Sequence, residues 1–267
     1  DMAIVLTTAM LTNPYAGLIV LAGIPSLETI TVAQASIAAS FILFAHSLPV
    51  EVLICRKAGV RMRMSLFVRV GGGFLFCFVL HHFLQATGWL ATVAFVTLPQ
   101  FTQSTSLIDW GVDQVKGLIF VQLVIIVLLF FLEVLRIIGV ERLIRLALNP
   151  FLKFMGVGDK AATIAVVGVT LGIGFGGGLL IKEVATGQIP RKDVFGVLSF
   201  LNLLHSVFED TSVVMLMGPN LFIVLVGRTL YAMLFVYLLM RVAKALPEPA
   251  WHRFLTNSQI PAHSPAH

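Results

Sequence analysis

The chain has 267 residues, of which 58% are hydrophobic and only 12% charged, and its mean hydropathy is +0.97. Soluble domains carry about 25% charged residues, so this composition excludes a water-soluble globule. The net charge of +5 does not indicate a nucleic-acid partner, because the cations flank the apolar runs, where membrane orientation explains them. Those runs are too long for barrel strands. The sequence therefore predicts an all-α integral membrane protein.

Residues 1–90 form the first predicted unit. Its opening apolar run, 3–22, is interrupted by Thr-Asn-Pro at 12–14, and a proline inside a helix removes a backbone hydrogen-bond donor. The run is therefore either a kinked span or a re-entrant hairpin whose tip is Thr-Asn-Pro. The runs 29–54 and 65–84 follow as two spans, and the first of them contains a prolyl break.

Two further segments do not belong to the repeated units: a linking region, 91–159, and a C-terminal tail. The linking region comprises an external loop, the apolar span 117–138 and the segment 141–155. In that segment charged residues alternate with Leu and Phe at helical spacing, which is typical of an amphipathic helix on the membrane surface. The tail, 246–267, has four prolines and few apolar residues, and we expect it to be disordered.

Residues 160–245 form the second predicted unit, built like the first. The apolar run 160–181 contains five glycines within 172–178, and each costs a helix about 1 kcal/mol relative to alanine. This run holds the position in the second unit that 3–22 holds in the first, so both units begin with an interrupted element. The spans 194–217 and 221–240 follow.

The two units share a polar motif, His-Ser-x-x-x-acid followed eighteen residues later by Arg. Every matched pair is separated by the same 159 residues. Four polar positions in register within two apolar stretches indicate an internal repeat. The copies are His46, Ser47, Glu51 and Arg69, and His205, Ser206, Asp210 and Arg228.

The distribution of positive charge predicts the orientation of the repeats. If both interrupted runs are hairpins, five full spans remain and an odd number of crossings separates the copies. All but three of the 18 Lys and Arg residues then fall on one side; the exceptions are Arg69, Arg228 and Lys116. The positive-inside bias therefore favours an inverted repeat of hairpin, broken helix and helix, joined by the linking span and the amphipathic helix.

Ionisable groups at the centre of a span cost roughly 2.5–3.5 kcal/mol each, so they mark functional sites. Four polar side chains of the second copy share one face if that helix is regular; they are Asn202, His205, Ser206 and Glu209. With His46, Ser47 and Glu51 of the first copy, we predict that they bind a substrate. The alternative is that Glu51 with Arg69, and Asp210 with Arg228, form structural or coupling ion pairs.

We predict neither a catalytic nor a metal site. His-x4-Glu differs from the two histidines that zinc proteases carry four residues apart, and Ser next to His in sequence is not a nucleophile–base geometry. The two cysteines, Cys55 and Cys77, lack the spacing of metal ligands. No cofactor is expected beyond a coupling ion, Na⁺ or H⁺.

This order of elements resembles the transport domain of concentrative nucleoside transporters. The His-Ser-x-x-x-acid motif and the glycine-rich hairpin are similar to those of the nucleoside-recognition, or Gate, domain family, over residues 1–245. The resemblance implies that the hairpin tips, at Asn13 and at 174–178, meet the motif helices in a central site. Two departures from those transporters are expected: the sequence shows no scaffold helices ahead of the first hairpin, and the hairpins lack the acidic residue of those transporters apart from the poorly placed Glu183.

We therefore expect a small secondary transporter of a polar, nucleoside-like solute, coupled to H⁺ or Na⁺. It would be a multi-pass protein of the plasma (inner) membrane, with its basic loops and C-terminal tail in the cytoplasm, and a homo-oligomer is compatible with so few spans. Two alternatives stay open. One is a membrane assembly or signalling component whose motifs only pack; the other is a divalent-cation permease, against which the absence of a Cys or Met cluster counts.

Overall fold

The computed structural model describes residues 1–24, 29–98 and 106–257, which are helical apart from turns and two isolated β-bridges. The all-α prediction is confirmed. Four stretches are long and apolar enough to cross a membrane, Val32–Lys57, Met62–Thr87, Leu107–Val127 and Phe222–Ala245. The fifth predicted span, 194–217, is not among them.

π-Helical turns (Phe67–Gly71 and Phe222–Gly227) lead into two of the helices. In chain order the helices are α1 (Met2–Leu11), α2 (Pro14–Ala22), α3 (Val32–Ala45), α4 (Leu48–Lys57), α5 (Met62–Leu66), α6 (Gly72–Thr87), α7 (Leu107–Ile138), α8 (Val140–Phe154), α9 (Asp159–Leu171), α10 (Ile173–Ala185), α11 (Arg191–Leu203), α12 (Val207–Met215), α13 (Arg228–Ala245) and α14 (Glu248–Phe254).

The first interrupted run folds as the hairpin α1–α2. Asn13 caps α2, because its side-chain oxygen accepts a hydrogen bond of 2.9 Å from the backbone nitrogen of Ala16. The two arms pack closely, since a Cβ on Gly17 would lie 2.8 Å from that of Ala9. Each arm is about 15 Å long, half of the bilayer core, so neither can cross it alone.

The second interrupted run is the hairpin α9–α10, which turns at Gly172. Its backbone has φ 98° and ψ 164°, which L-residues rarely adopt. The predicted tip at 174–178 is wrong, because those residues continue α10 as regular helix. Gly176 serves packing instead, since a Cβ there would lie 2.5 Å from the Cα of Gly168.

Both motif helices break at their serine. α3 gives way to α4 at Ser47 (φ 51°, ψ 29°), and α11 gives way to α12 at Ser206 (φ 43°, ψ 43°). Left-handed backbone is uncommon for any residue other than glycine. The breaks invalidate the expected polar face of the second copy, because residues on either side of Ser206 no longer follow one helical period.

The hairpins pack against helices of both units. The α1–α2 hairpin contacts α3 and α12, and the α9–α10 hairpin contacts α4 and α11. Two apolar cores result, one around the first hairpin with α3 and α12, and a larger one around α9, α10, α11 and α13. The breaks of the motif helices therefore lie between the two hairpins.

The linking region is more helical than expected at its start. α7 begins at Leu107, so Asp109 and Asp113 belong to the linking helix rather than to a loop, while residues 99–105 lie outside the described part. α8 is amphipathic as predicted: Leu148 and Leu152 are buried against the larger core, whereas the opposite face is exposed.

The tail departs from the predicted disorder. Residues 248–254 form α14, whose Trp251 is buried in the larger core. The Arg61 guanidinium donates hydrogen bonds to the carbonyls of His252 and Thr256 at 2.9–3.1 Å. One tryptophan and one arginine therefore anchor a proline-rich segment; the end of the tail, 258–267, lies outside the described residues.

Candidate functional site

The two helix breaks bring His46 and His205 into direct contact. Their Nε2 atoms lie 3.2 Å apart, and both side chains are almost completely buried. The two residues are the equivalent positions of the two motif copies. A central cluster, which we define as His46, Glu51, His205 and Asp210, forms around this contact.

Both imidazole rings are held in the same way. The Nδ1 atom of His46 lies 2.9 Å from the Ile42 carbonyl, and that of His205 lies 2.7 Å from the Leu201 carbonyl. A carbonyl oxygen can only accept, so each Nδ1 carries a proton. In the neutral rings the two Nε2 lone pairs therefore face each other across 3.2 Å.

One carboxylate from each motif copy completes the central cluster. Glu51 approaches His46 Nε2 at 3.5 Å and His205 Nε2 at 3.3 Å. Asp210 approaches the same two atoms with its Oδ2 at 3.4 and 3.9 Å. That Oδ2 is buried and, among the described residues, has no hydrogen-bond partner.

The motif arginines are fully buried and cap the broken helices. Arg69 pairs with Glu51, as predicted, and donates to the His46 carbonyl at 2.6 Å. Arg228 donates instead to three carbonyls, those of Leu203, Leu43 and His205, at 3.0–3.3 Å.

The predicted ion pair between Asp210 and Arg228 therefore does not form as a direct contact. The helix break explains why the pair does not form, because it leaves carbonyls in the last turn of the broken helix without intrahelical hydrogen-bond partners. The guanidinium satisfies those carbonyls, and the Asp210 carboxylate turns towards the histidines.

The motif serines join each break to a hairpin. The Ser47 backbone nitrogen donates to the Ala9 carbonyl at 3.1 Å, and its Oγ donates to the Thr12 carbonyl at 2.8 Å. The Ser206 nitrogen is likewise 3.4 Å from the Gly168 carbonyl. These contacts engage the serines within the protein, so their role in this conformation is structural.

Three predicted site residues lie away from the central cluster. Asn13 is exposed and caps α2. Asn202 is buried, and its side-chain oxygen accepts from the Cys55 thiol at 3.5 Å. Glu209 turns towards the first hairpin, where it accepts a hydrogen bond of 3.1 Å from the Tyr15 hydroxyl.

Asp210, rather than the predicted Glu209, therefore belongs to the central cluster. The regular-helix assumption favoured Glu209, whereas the 159-residue spacing already identified Asp210 as the counterpart of Glu51. Sequence reasoning missed Tyr15 altogether, because its counterpart at that spacing is Gly174 and no repeat marks it.

Three cavities, of about 610, 360 and 20 Å³, lie elsewhere in the described part of the molecule. The largest, about 610 Å³, is mainly apolar and lies between the first hairpin, α3 and α6; it is lined by Leu6, Phe41, Phe74 and His81 among others. No member of the central cluster lines any of these three cavities. In this conformation the cluster is closed.

The sequence predicted no metal site, yet the central cluster has ligand atoms at short range. The ring nitrogens of His46 and His205 and a carboxylate oxygen of Asp210 all lie within 4.8 Å of one another. The arrangement could hold a proton or a cation between the histidines.

Comparison with known proteins identifies a distant relative. Over 243 residues the chain is 26% identical to the "Uncharacterized membrane protein YvoD" of Bacillus subtilis (strain 168), covering 88% of this chain and 75% of that protein. No protein-family model matches the chain, and no solved structure matches it. With its four apolar helices, the chain is a multi-pass membrane protein.

Proposed function

We propose that this protein is a small secondary transporter built on an inverted repeat, with the central cluster as its substrate or coupling-ion site. The contact between His46 and His205 carries the proposal, because it places the two equivalent helix breaks against each other in the protein interior. Irregular backbone at membrane depth is tolerated only where protein buries it or where it lines a cavity. Transporters with inverted repeats use such broken helices for their substrate and ion sites.

Local geometry supports the repeat beyond the sequence motif. Ser47 and Ser206 share left-handed backbone, and their nitrogens donate to Ala9 and Gly168, which are also 159 residues apart. Each hairpin thus holds one break in the same way. We further propose that the basic loops lie on the cytoplasmic side of the plasma (inner) membrane.

The resemblance to the Gate domain family suggests a polar solute, nucleoside-like in character. Sites for small organic molecules enclose about 300–1,000 Å³, whereas the central cluster is closed by contacts between its own members. Such a solute could enter only if one hairpin moves away from its break. Alternating movement of the two hairpins would expose the cluster to each side in turn.

Uptake into proteoliposomes tests the proposal. We would assay labelled nucleosides, amino acids and divalent cations with an imposed H⁺ or Na⁺ gradient. Replacing Glu51→Gln or Asp210→Asn should abolish uptake, because each removes a charge from the central cluster. Tyr15→Phe is the matched control, since it removes a polar contact outside the cluster. No uptake of any compound, or full uptake in both acid variants, would contradict the proposal.

A second candidate is a membrane assembly or signalling component whose motifs only stabilise the fold. It is favoured by the arginine and serine contacts, all of which are made within the chain. In this case His46→Ala and His205→Ala would lower the melting temperature without changing the binding of any small molecule or ion.

A further inference from the structure

We propose that the central cluster binds a divalent transition-metal ion such as Zn²⁺, with His46 Nε2, His205 Nε2 and Asp210 Oδ2 as ligands and with Glu51, which pairs with Arg69, beside them. The inference rests on the same cluster as the proposed transport function but concerns what occupies it. Binding can be measured on the purified protein, so it can fail or succeed independently of transport.

The distances fit a tetrahedral centre. Bonds of about 2.0–2.1 Å from zinc to nitrogen or oxygen place any two tetrahedral ligands about 3.3–3.4 Å apart. The two Nε2 atoms are 3.2 Å apart, and His46 Nε2 is 3.4 Å from Asp210 Oδ2. These two edges match a tetrahedron, and the third edge of the ligand set, 3.9 Å from His205 Nε2 to Asp210 Oδ2, needs a shift of about half an ångström.

The rings are already in the tautomer that a metal requires. Metal-bound histidines usually donate their other ring N–H to a carbonyl or carboxylate, which fixes the orientation of the ring. Here the Ile42 and Leu201 carbonyls accept those hydrogen bonds, at 2.9 and 2.7 Å. Without an ion or a proton between them, the two Nε2 lone pairs would repel each other.

A second, independent observation concerns the buried carboxylate of Asp210. Its side chain is only 8% exposed, its Oδ2 has no hydrogen-bond partner within the described part of the chain, and that atom is directed at both histidines. A buried carboxylate oxygen without a partner is costly unless a charge or a donor compensates it. A cation between the histidines would supply that charge.

Ligand chemistry selects the class of ion. Two imidazole nitrogens with carboxylate oxygens suit Zn²⁺ and its neighbours, whereas Mg²⁺ and Ca²⁺ prefer sets of oxygen ligands. Arg69 and Arg228 are as many buried positive charges as Glu51 and Asp210 are negative ones, although only Arg69 contacts its carboxylate. A dication would therefore add net positive charge to a buried region. We therefore expect an ion that exchanges, as a transported or sensed ion must, rather than a permanent structural metal.

Cobalt binding tests the inference directly. The 267-residue chain, purified in detergent without a histidine tag and stripped with a chelator, is titrated with Co²⁺ and then with Zn²⁺. We expect the strong visible absorption of tetrahedral cobalt, saturating at one ion per chain and displaced by Zn²⁺. His205→Gln and the nearly isosteric Asp210→Asn should weaken binding by more than about tenfold, since even outer-shell changes typically cost that much.

The controls distinguish a variant that has lost the metal site from a variant that no longer folds. His82→Gln alters an exposed histidine outside the cluster and should bind cobalt like the original chain. Each variant's melting temperature is measured without metal, so that weaker binding is interpreted only where the protein is folded. Absence of the tetrahedral absorption in the original chain, or equal binding in folded His205→Gln and Asp210→Asn, would overturn the inference. Cobalt binding without solute uptake would contradict transport alone, and nucleoside uptake without metal binding would contradict only the metal site.

Discussion

The Tyr231 hydroxyl donates a hydrogen bond of 2.6 Å to the carbonyl of Gly72, a residue 159 positions earlier. His46 and His205 are also in contact and have the same spacing. A twofold axis between two halves brings equivalent positions into contact wherever it passes between them. Both contacts are therefore expected if the two units are related by an approximate twofold axis through the central cluster, as in an inverted repeat.

Backbone strain at the motif serines predicts opposite effects of two substitutions. Ser206 has φ 43°, where a β-branched residue is strongly disfavoured. We expect Ser206→Val to lower the melting temperature, and Ser206→Gly to preserve or raise it because glycine adopts this conformation without strain. Thermal unfolding in detergent measures both. If Ser206→Gly destabilised the protein as much as Ser206→Val, the hydroxyl rather than the backbone would be decisive.

The glycines of α10 should differ sharply in their tolerance of alanine. A Cβ on Gly176 would meet the backbone of Gly168, whereas one on Gly174 or Gly178 meets nothing within 4 Å. Gly176→Ala should therefore separate the arms of the hairpin and lower stability. Gly174→Ala should raise it by up to about 1 kcal/mol, the helix propensity difference. Equal effects in a chemical unfolding series would show that the arms do not pack as described.

The two buried arginines should not be equivalent. Arg69→Met leaves Glu51 without its ionic partner, and breaking a buried pair typically costs about 3–5 kcal/mol. Arg228→Met leaves only carbonyls without donors, so we expect a smaller loss. The double variant Arg69→Met with Glu51→Gln should recover part of the stability. A double variant no more stable than Arg69→Met would argue against the ion pair.

Anchoring of the tail depends on Trp251. Its side chain is only 2% exposed, and replacing a buried tryptophan by alanine typically costs about 3–5 kcal/mol. We expect Trp251→Ala to release α14, so that limited proteolysis cuts between α13 and the C-terminus. Arg253→Ala, on the exposed side of α14, is the matched control and should be cut no faster than the original chain.

Composition and periodicity were sufficient for the helical class, the two hairpins and the amphipathic α8. The equal spacing of the motifs was also sufficient to associate His46 with His205. The errors arose where local backbone departs from regular helix. The break at Ser206 redirects Glu209 to Tyr15 and Asp210 to the histidines, and neither change follows from a 3.6-residue period.

The turn of the second hairpin could not be predicted for a related reason. Five glycines offered several places to turn; the chain turns at Gly172, where the two arms pack with Gly176 against Gly168. Likewise, the docking of α14 depends on a cavity for Trp251 that is built by distant helices. Such long-range packing has no signature in the local sequence.

A fluorescent label near the docked C-terminal segment would report the position of α4, which follows the first helix break. Asn257 donates to the carbonyls of Arg56 and Gly59, at the end of α4 and just beyond it, so the last described residue is tied to the helix that carries Glu51. A fluorophore attached there would move with α4. Energy transfer from it to a second dye on the α9–α10 hairpin, which contacts α4, would therefore follow the proposed movement of that hairpin in single molecules, without labelling any residue of the cluster itself.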